Sequence, residues 1–254
     1  MKKFLTNLFI PCLFHSSVLL AADVMNVTDS GLEGDVVRGL VKPIQKAIIS
    51  SEIPARITSI PFREGDKFKQ GDILVSFDCA FYLADLASAN ADYKSKQKIL
   101  ENNKRLMSLN AMSEIDVAIS EADVEIAQAE RRMRSIKVEQ CKIKAPYDGR
   151  VTEVMANEHE TVPSDRELLS VLNDKSLEIE LIVPSNWLNW LDIGQPFSFV
   201  IDETGNEIGA KIIKIGAAVD PVSQTVKLIG SFNEDSPNVL AGMSGAARFE
   251  RPAQ

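Results

Sequence analysis

Hydrophobic and polar positions change period along the chain. From about Val36 to Phe77 apolar residues recur in short runs, interrupted by polar turns such as Glu64-Gly65-Asp66 and Gln70-Gly71-Asp72. That pattern predicts short β-strands joined by tight turns. Between Ala80 and Gln140 there is neither glycine nor proline, and Ala, Glu, Lys, Gln and Leu dominate. These are strong helix formers. After Asp174 alternation returns in Leu177–Val183, Pro196–Ile201, Ala210–Ile215 and Thr225–Phe232. Strands of that length and spacing predict a six-stranded β-barrel, with one short helix over 185–191.

An internal repeat flanks the helical stretch. Ala55-Arg56-Ile57-Thr58-Ser59-Ile60 returns as Gly149-Arg150-Val151-Thr152-Glu153-Val154, and Arg63-Glu64-Gly65-Asp66-Lys67-Phe68 as Asn157-Glu158-His159-Glu160-Thr161-Val162. Ile73–Ser76 aligns with Leu168–Val171 within a residue. Neither copy holds enough apolar residues for a core of its own, so the two are expected to pack into one small β-domain. The second copy carries His159 and Asp165 where the first carries Gly65 and Gly71. Those are turn positions that favour positive φ, which makes His159 a turn residue before it is a ligand.

The helical stretch breaks near Leu109-Asn110-Ala111-Met112, and Ser113 followed by Glu114 and Asp116 reads as an N-cap with an acidic first turn. The second helix shows a heptad series: Ile115, Ile119, Ala122, Ile126, Ala129, Met133 and Ile136. The first is weaker, with Leu83, Leu86, Tyr93, Leu100 and Met107 interrupted by Asn90, Gln97 and Lys104. Two antiparallel helices of ~28 residues, each ~40 Å long, are expected. A continuous dimeric coiled coil is the rival, but only a hairpin returns the chain to where the second β-repeat must pair. Cys79 and Cys141 lie symmetrically about that turn, so a hairpin places them together at its base, where a disulfide is expected, with two buried free thiols as the alternative.

Composition narrows the function. The formal charge is -8, which disfavours a nucleic-acid partner. Lys2 and Lys3, the apolar run to Leu20 and Leu20-Ala21-Ala22 before Asp23 resemble an export signal; retention as an anchor is the alternative. Cleavage would leave Cys79 and Cys141 as the remaining cysteines and His159 as the remaining histidine, which excludes multi-histidine metal sites. No nucleophile elbow, phosphate-binding glycine loop or Cys-His pair is evident. No catalytic residue, cofactor or metal site is therefore assigned, and the chain is expected not to be an enzyme.

The order of motifs resembles the periplasmic adaptor subunits, or membrane fusion proteins, of Gram-negative tripartite efflux pumps. The likeness is carried by Ile53-Pro54-Ala55-Arg56-Ile57 with the two Gly-Asp turns, and by Ile143-Lys144-Ala145-Pro146-Tyr147-Asp148-Gly149-Arg150-Val151. Val219-Asp220-Pro221-Val222-Ser223-Gln224-Thr225-Val226 and Leu240-Ala241-Gly242-Met243-Ser244 extend it. The resemblance implies an α+β fold: a long antiparallel α-helical hairpin inserted in a split lipoyl-like (barrel-sandwich hybrid) β-domain, followed by a β-barrel domain. The expected layout is a signal peptide at 1–22 and an N-terminal segment, 23–50, contributing to the barrel. The lipoyl-like halves fall at 51–78 and 142–173, the hairpin at 79–141, and the barrel at 174–254 with a reduced or absent membrane-proximal domain. The resemblance also implies a periplasmic location and a ring of copies linking an inner-membrane transporter (RND type before ABC) to an outer-membrane channel, for efflux of small molecules. Arg105, Leu109 and Ser113 match the positions near the hairpin tip that touch the channel in that family. A polypeptide-export adaptor is an alternative. A lipoyl or biotinyl carrier is a weaker one, since Phe77-Asp78-Cys79 holds no lysine where the carrier's would stand.

Overall fold

A computed structural model describes residues 35–233 and 238–251. The expected signal segment 1–22 lies outside the described residues.

Six antiparallel strands close a barrel in the order β1 (Asp35–Pro43), β10 (Leu177–Pro184), β13 (Thr225–Phe232), β12 (Glu207–Asp220), β11 (Pro196–Ile201), β14 (Ser244–Phe249). Strict alternation builds it: Ile179, Leu181 and Val183 of β10 face the core, while Glu178, Glu180 and Ile182 do not. Phe199 lies across β1 and β14, where a Cβ on Gly39 would come within 2.8 Å of its ring and one on Gly245 within 2.7 Å. Trp187, on a 3₁₀ turn (Ser185–Asn189), packs edge-on against Phe249 at one end. β12 runs beyond the expected Ala210–Ile215 at both ends, crossing irregularities after Ile212 and Ile215. Gly216-Ala217-Ala218 had hidden its far end by interrupting the alternation.

A second core lies between two four-stranded sheets. One has the order β2 (Lys46–Ser50), β9 (Glu167–Leu172), β7 (Gly149–Val154), β4 (Lys67–Phe68). The other runs β6 (Lys142–Lys144), β5 (Ile73–Phe77), β3 (Ala55–Ser59), β8 (Thr161–Val162). Both sheets draw strands from before and after the helical stretch. One expected boundary is corrected. Of the segment 23–50 expected in the barrel, β1 alone joins it among the described residues; β2 pairs with β9, Ile48 opposite Ser170. The crossing falls between Pro43 and Lys46, where Ile44 N donates to Ser176 O at 2.9 Å and Asn173 N to Gln45 O at 2.9 Å.

The repeat is visible in reciprocal hydrogen bonds. Gly65 N donates to Val151 O (2.9 Å) and His159 N to Ile57 O (2.8 Å); Gly71 N donates to Ala145 O (2.9 Å) and Asp165 N to Ser51 O (2.7 Å). Ile60 N donates to the Glu158 carboxylate (2.9 Å), and Val154 N to that of Glu64 (3.3 Å). Each turn of one copy is thus tied to a strand of the other. Gly65, Gly71, His159 and Asp165 all have positive φ (87°, 88°, 68° and 65°). His159 and Asp165 occupy the left-handed region that their counterparts enter without a Cβ penalty.

Helices α1 (Ala80–Ser108) and α2 (Glu114–Glu139) leave the second sheet at β5 and return to it at β6, which pair with Ser76 opposite Lys142. They run antiparallel, as the cross-helix ion pairs Asp85–Arg134 (2.9 Å), Lys96–Asp123 (3.1 Å) and Lys104–Glu121 (2.7 Å) require. The face of α2 that meets α1 is not the expected heptad series. Val117, Ser120 and Ala127 are its buried residues, with Val124, Arg131 and Val138 half-buried in the same row. Ile115, Ile119, Ile126, Met133 and Ile136 are exposed. Two rows at heptad spacing run along α2 on opposite sides. The inner, less apolar row has partners on α1: Asn103 donates to Ser120 Oγ, and the Arg131 guanidinium stands 4.4 Å over the Tyr93 ring. No helix among the described residues is long and apolar enough to cross a membrane.

Candidate functional site: the two ends of the helical pair

The far end is a five-residue turn stopped and restarted by capping. Asn110 takes φ 56° just past α1. Its N–H donates to Met107 O (2.9 Å), and Ala111 N–H donates to Leu106 O (2.9 Å). This is the double bond of a Schellman stop, with Asn in the place usually held by Gly. Ser113 then caps α2: its Oγ accepts from Asp116 N (3.2 Å) and donates to the Asp116 carboxylate (2.6 Å). Glu114 and Asp116 in the first turn complement the helix dipole.

This construction separates the three residues expected at the tip. Arg105 and Leu109 are one turn apart on α1 and share a face. Arg105 is exposed and donates to Asn102 Oδ1 (2.9 Å), and Leu109 is 69% exposed. Ser113 lies across the turn with its hydroxyl engaged in the cap. The tip therefore presents an apolar side chain beside a cation, while Ser113 holds the helix start.

At the near end the structure joins Cys79 to Cys141 in a disulfide, Cα–Cα 6.1 Å. Cys79 is the N-cap position of α1 but offers no side-chain cap. Asp78 supplies one instead: its carboxylate accepts from Ala80 N (3.3 Å) and pairs with Arg56 (2.8 Å). The Ala80 amide first, and Arg56 second, hold the Asp78 carboxyl below the ordinary range. Phe77 N donates to Cys141 O (2.9 Å), so the two strand-to-helix joints are tied to each other. Tyr82 reaches back to Pro54 O (3.1 Å). Asp78 stands one position ahead of the N-cap, so the usual cap spacing in the sequence does not mark it. Among the described residues no group of His, Cys, Asp and Glu is arranged to hold a metal ion.

No protein-family model matches the chain. Among curated proteins it is 28% identical over 218 residues to an uncharacterized protein of Haemophilus influenzae, covering 85% of this chain and 57% of that one. It is 23% identical over 241 residues to the nodulation protein NolF of Rhizobium meliloti, covering 89% and 66%. Over 90 residues it is 31% identical to the toluene efflux pump periplasmic linker protein TtgD of Pseudomonas putida, covering 35% and 24%. The chain thus spans 57% and 66% of the length of the first two relatives.

Among solved structures, a MacA–MexA chimeric protein containing the Pseudomonas aeruginosa MexA α-hairpin domain superposes with a TM-score of 0.74 at 23% identity, covering 85% of this chain and 82% of that one. The membrane fusion protein Spr0693 of Streptococcus pneumoniae gives 0.71 at 15%, covering 86% and 99%. The fold is that of the membrane fusion, or periplasmic adaptor, proteins.

Proposed function

We propose that the chain is a periplasmic adaptor that bridges an inner-membrane transporter and an outer-membrane channel for efflux of small molecules. The helical pair serves as a stiff strut whose tip docks on the channel. The observation that carries this is the division of labour along the pair: a tip offering Leu109 and Arg105 to solvent, and a base fixed to a β-domain by Cys79–Cys141. Such a strut needs no catalytic group; length and rigidity are its mechanism. A relative described as an efflux pump periplasmic linker supports the class of client. An RND-type transporter is the preferred inner-membrane partner, an ABC type the alternative, with several copies forming a ring through their β-domains.

A photo-crosslinking residue at position 109, introduced in the native host, tests this. An adduct identified by mass spectrometry as an outer-membrane channel component is expected. It should vanish with Arg105→Glu, and a deletion strain should accumulate effluxed small molecules. Normal efflux in the deletion strain, or adducts with cytoplasmic or inner-leaflet proteins only, would refute the proposal.

A further inference from the structure

The Cys79–Cys141 bond joins two unlike cysteines. Cys141 follows α2 and is 3% exposed, inside the β-core. Cys79 is partly exposed and stands at the N-terminal end of the 29-residue α1. A helix start carries partial positive charge and unpaired N–H groups, both of which favour an anion beside them. Here Ala80 N is taken by Asp78, while the Phe81 and Tyr82 amides have no acceptor among the described residues. Such a setting favours the reactive thiolate, whereas apolar burial favours the inert thiol.

We propose that Cys79 is the reactive thiol of the pair and a site of S-thiolation, through which an external disulfide closes the bond in a chain that is already folded. The chemistry is two successive exchanges. The Cys79 thiolate attacks the external disulfide, forming a mixed disulfide and expelling one external thiolate, which takes up the proton Cys79 gave to solvent. Cys141 then loses its proton and attacks Cys79 Sγ, forming Cys79–Cys141 and expelling the second external thiolate. Two protein thiols are oxidised, and one external disulfide is reduced to two thiols.

Three observations support this order. The first is access. Asp78 and Ala80, on either side of Cys79, line an open groove with Pro54, Arg56 and Phe81, whose ring is 75% exposed. An external group joined to Cys79 has this groove beside it, whereas one joined to Cys141 would have to displace the core. The second is charge. The Asp78 carboxylate next to Cys79 would oppose a thiolate, but Arg56 is paired with it at 2.8 Å, so the two leave no net charge there. The third is reach. Phe77 N donates to Cys141 O, and Ser76 lies opposite Lys142, so the strands alone bring the two cysteines together. The resolving thiol is in place before any S–S bond forms.

The strut is therefore assembled first and clamped afterwards, and a chain carrying an external thiol on Cys79 has an unclamped base. The inference rests on export to an oxidising compartment, as the proposed function does, but not on the channel, and its failure would leave tip docking untouched. A small-molecule disulfide and the disulfide of a thiol–disulfide oxidoreductase supply the same chemistry.

Single-cysteine variants of the full chain, in a Cys12→Ser background, test it. Cys141→Ser should take one glutathione from oxidised glutathione at pH 7, located on Cys79 by mass spectrometry. Cys79→Ser should react at least about 100-fold more slowly in buffer, and the two rates should converge in urea. Asp78→Asn in the Cys141→Ser chain keeps a capping side chain but removes the carboxylate, and should speed the reaction of Cys79 by about 2–5-fold. Acid quenching of the reduced two-cysteine chain during oxidation should trap the adduct on Cys79. Faster closure by a micromolar dithiol oxidase than by millimolar oxidised glutathione would mark a protein source and the reverse a small-molecule one, with the same order of attack in both. Equal rates for the two single-cysteine variants in buffer, whether from equal access or from an unfolded reduced chain, would overturn the proposal. So would an adduct trapped on Cys141, or an Asp78→Asn rate that is unchanged or lower.

Discussion

Opening the Cys79–Cys141 bond should cost the protein a large share of its stability. The two cysteines are 62 positions apart, and the loop they close contains both helices. In the chain-entropy treatment a loop of that length removes about 4 kcal/mol from the unfolded ensemble. A domain protein is typically stable by only ~5–15 kcal/mol. The bond also joins packed groups: Cys141 is buried, and Cys79 packs against the sheet core. Urea unfolding followed by circular dichroism should therefore show Cys79→Ala/Cys141→Ala about 3–5 kcal/mol less stable than the oxidised chain. The oxidised chain treated with reductant should move to meet the double mutant. The slope with urea should be smaller for the oxidised chain, because its denatured state is held compact. Coincident midpoints for all three samples would refute the reasoning. So would two reactive thiols in the unreduced, unfolded protein.

Further outcomes follow from the turns, caps and carboxylates. His159→Gly, which relieves a left-handed histidine, should stabilise the β-domain by about 0.5–1 kcal/mol in urea titrations, whereas Gly65→His should destabilise by a similar amount. Ser113→Ala should cost about 1 kcal/mol through the lost N-cap. Leu109→Ala should leave the unfolding midpoint unchanged and abolish tip crosslinking, so the two residues separate by assay. Glu180 is held below the ordinary carboxyl range by Lys42 and then Lys227, and Asp202 by Arg38. Depressed carboxyls contribute stability above their unfolded values and lose it as pH falls through the folded ones. Midpoints should stay level from pH 7 to about 5 and fall below about pH 4. Glu180→Gln should flatten part of that fall.

Much of the β-structure was legible because a repeat encodes pairing as well as strands. Once Arg63–Phe68 is aligned with Asn157–Val162, the bonds from Gly65 to Val151 and from His159 to Ile57 are two instances of one rule. The positive φ at His159 and Asp165 follows from the glycines they replace. The barrel strands β10, β11 and β13 were equally plain, since one face of each is apolar without interruption. Other features were hidden for physical reasons. β2 is an edge strand, so Ile48 faces outward and its alternation does not announce a core. On α2 the more apolar of two heptad rows was the wrong seam. Periodicity identifies a row that wants burial, but not what buries it, and the partner on α1 was chosen by polar groups that a hydrophobic pattern does not register.

That choice ties the two ends of the helical pair together. An interface built on Val117, Ser120 and Ala127, with Val124, Arg131 and Val138 half-buried, buries only modest apolar area, and α1 has no fully buried residue. Its ion pairs are partly exposed, and pairs of that kind contribute about 0–1 kcal/mol each. Packing alone would leave such a pair loosely held and free to splay from its tip, the end farthest from the β-core. The base is where the loss is recovered: Asp78 and Arg56 fix the start of α1, Tyr82 anchors its first turn to Pro54, and the disulfide fixes the bases of both helices at once. Removing the disulfide should therefore loosen the tip before it unfolds the barrel. Hydrogen exchange would show this as faster exchange in α1 and α2 with β10 and β13 unchanged. Uniform acceleration across both β-cores would instead mean that the bond acts on the unfolded chain alone and contributes nothing to the stiffness of the strut.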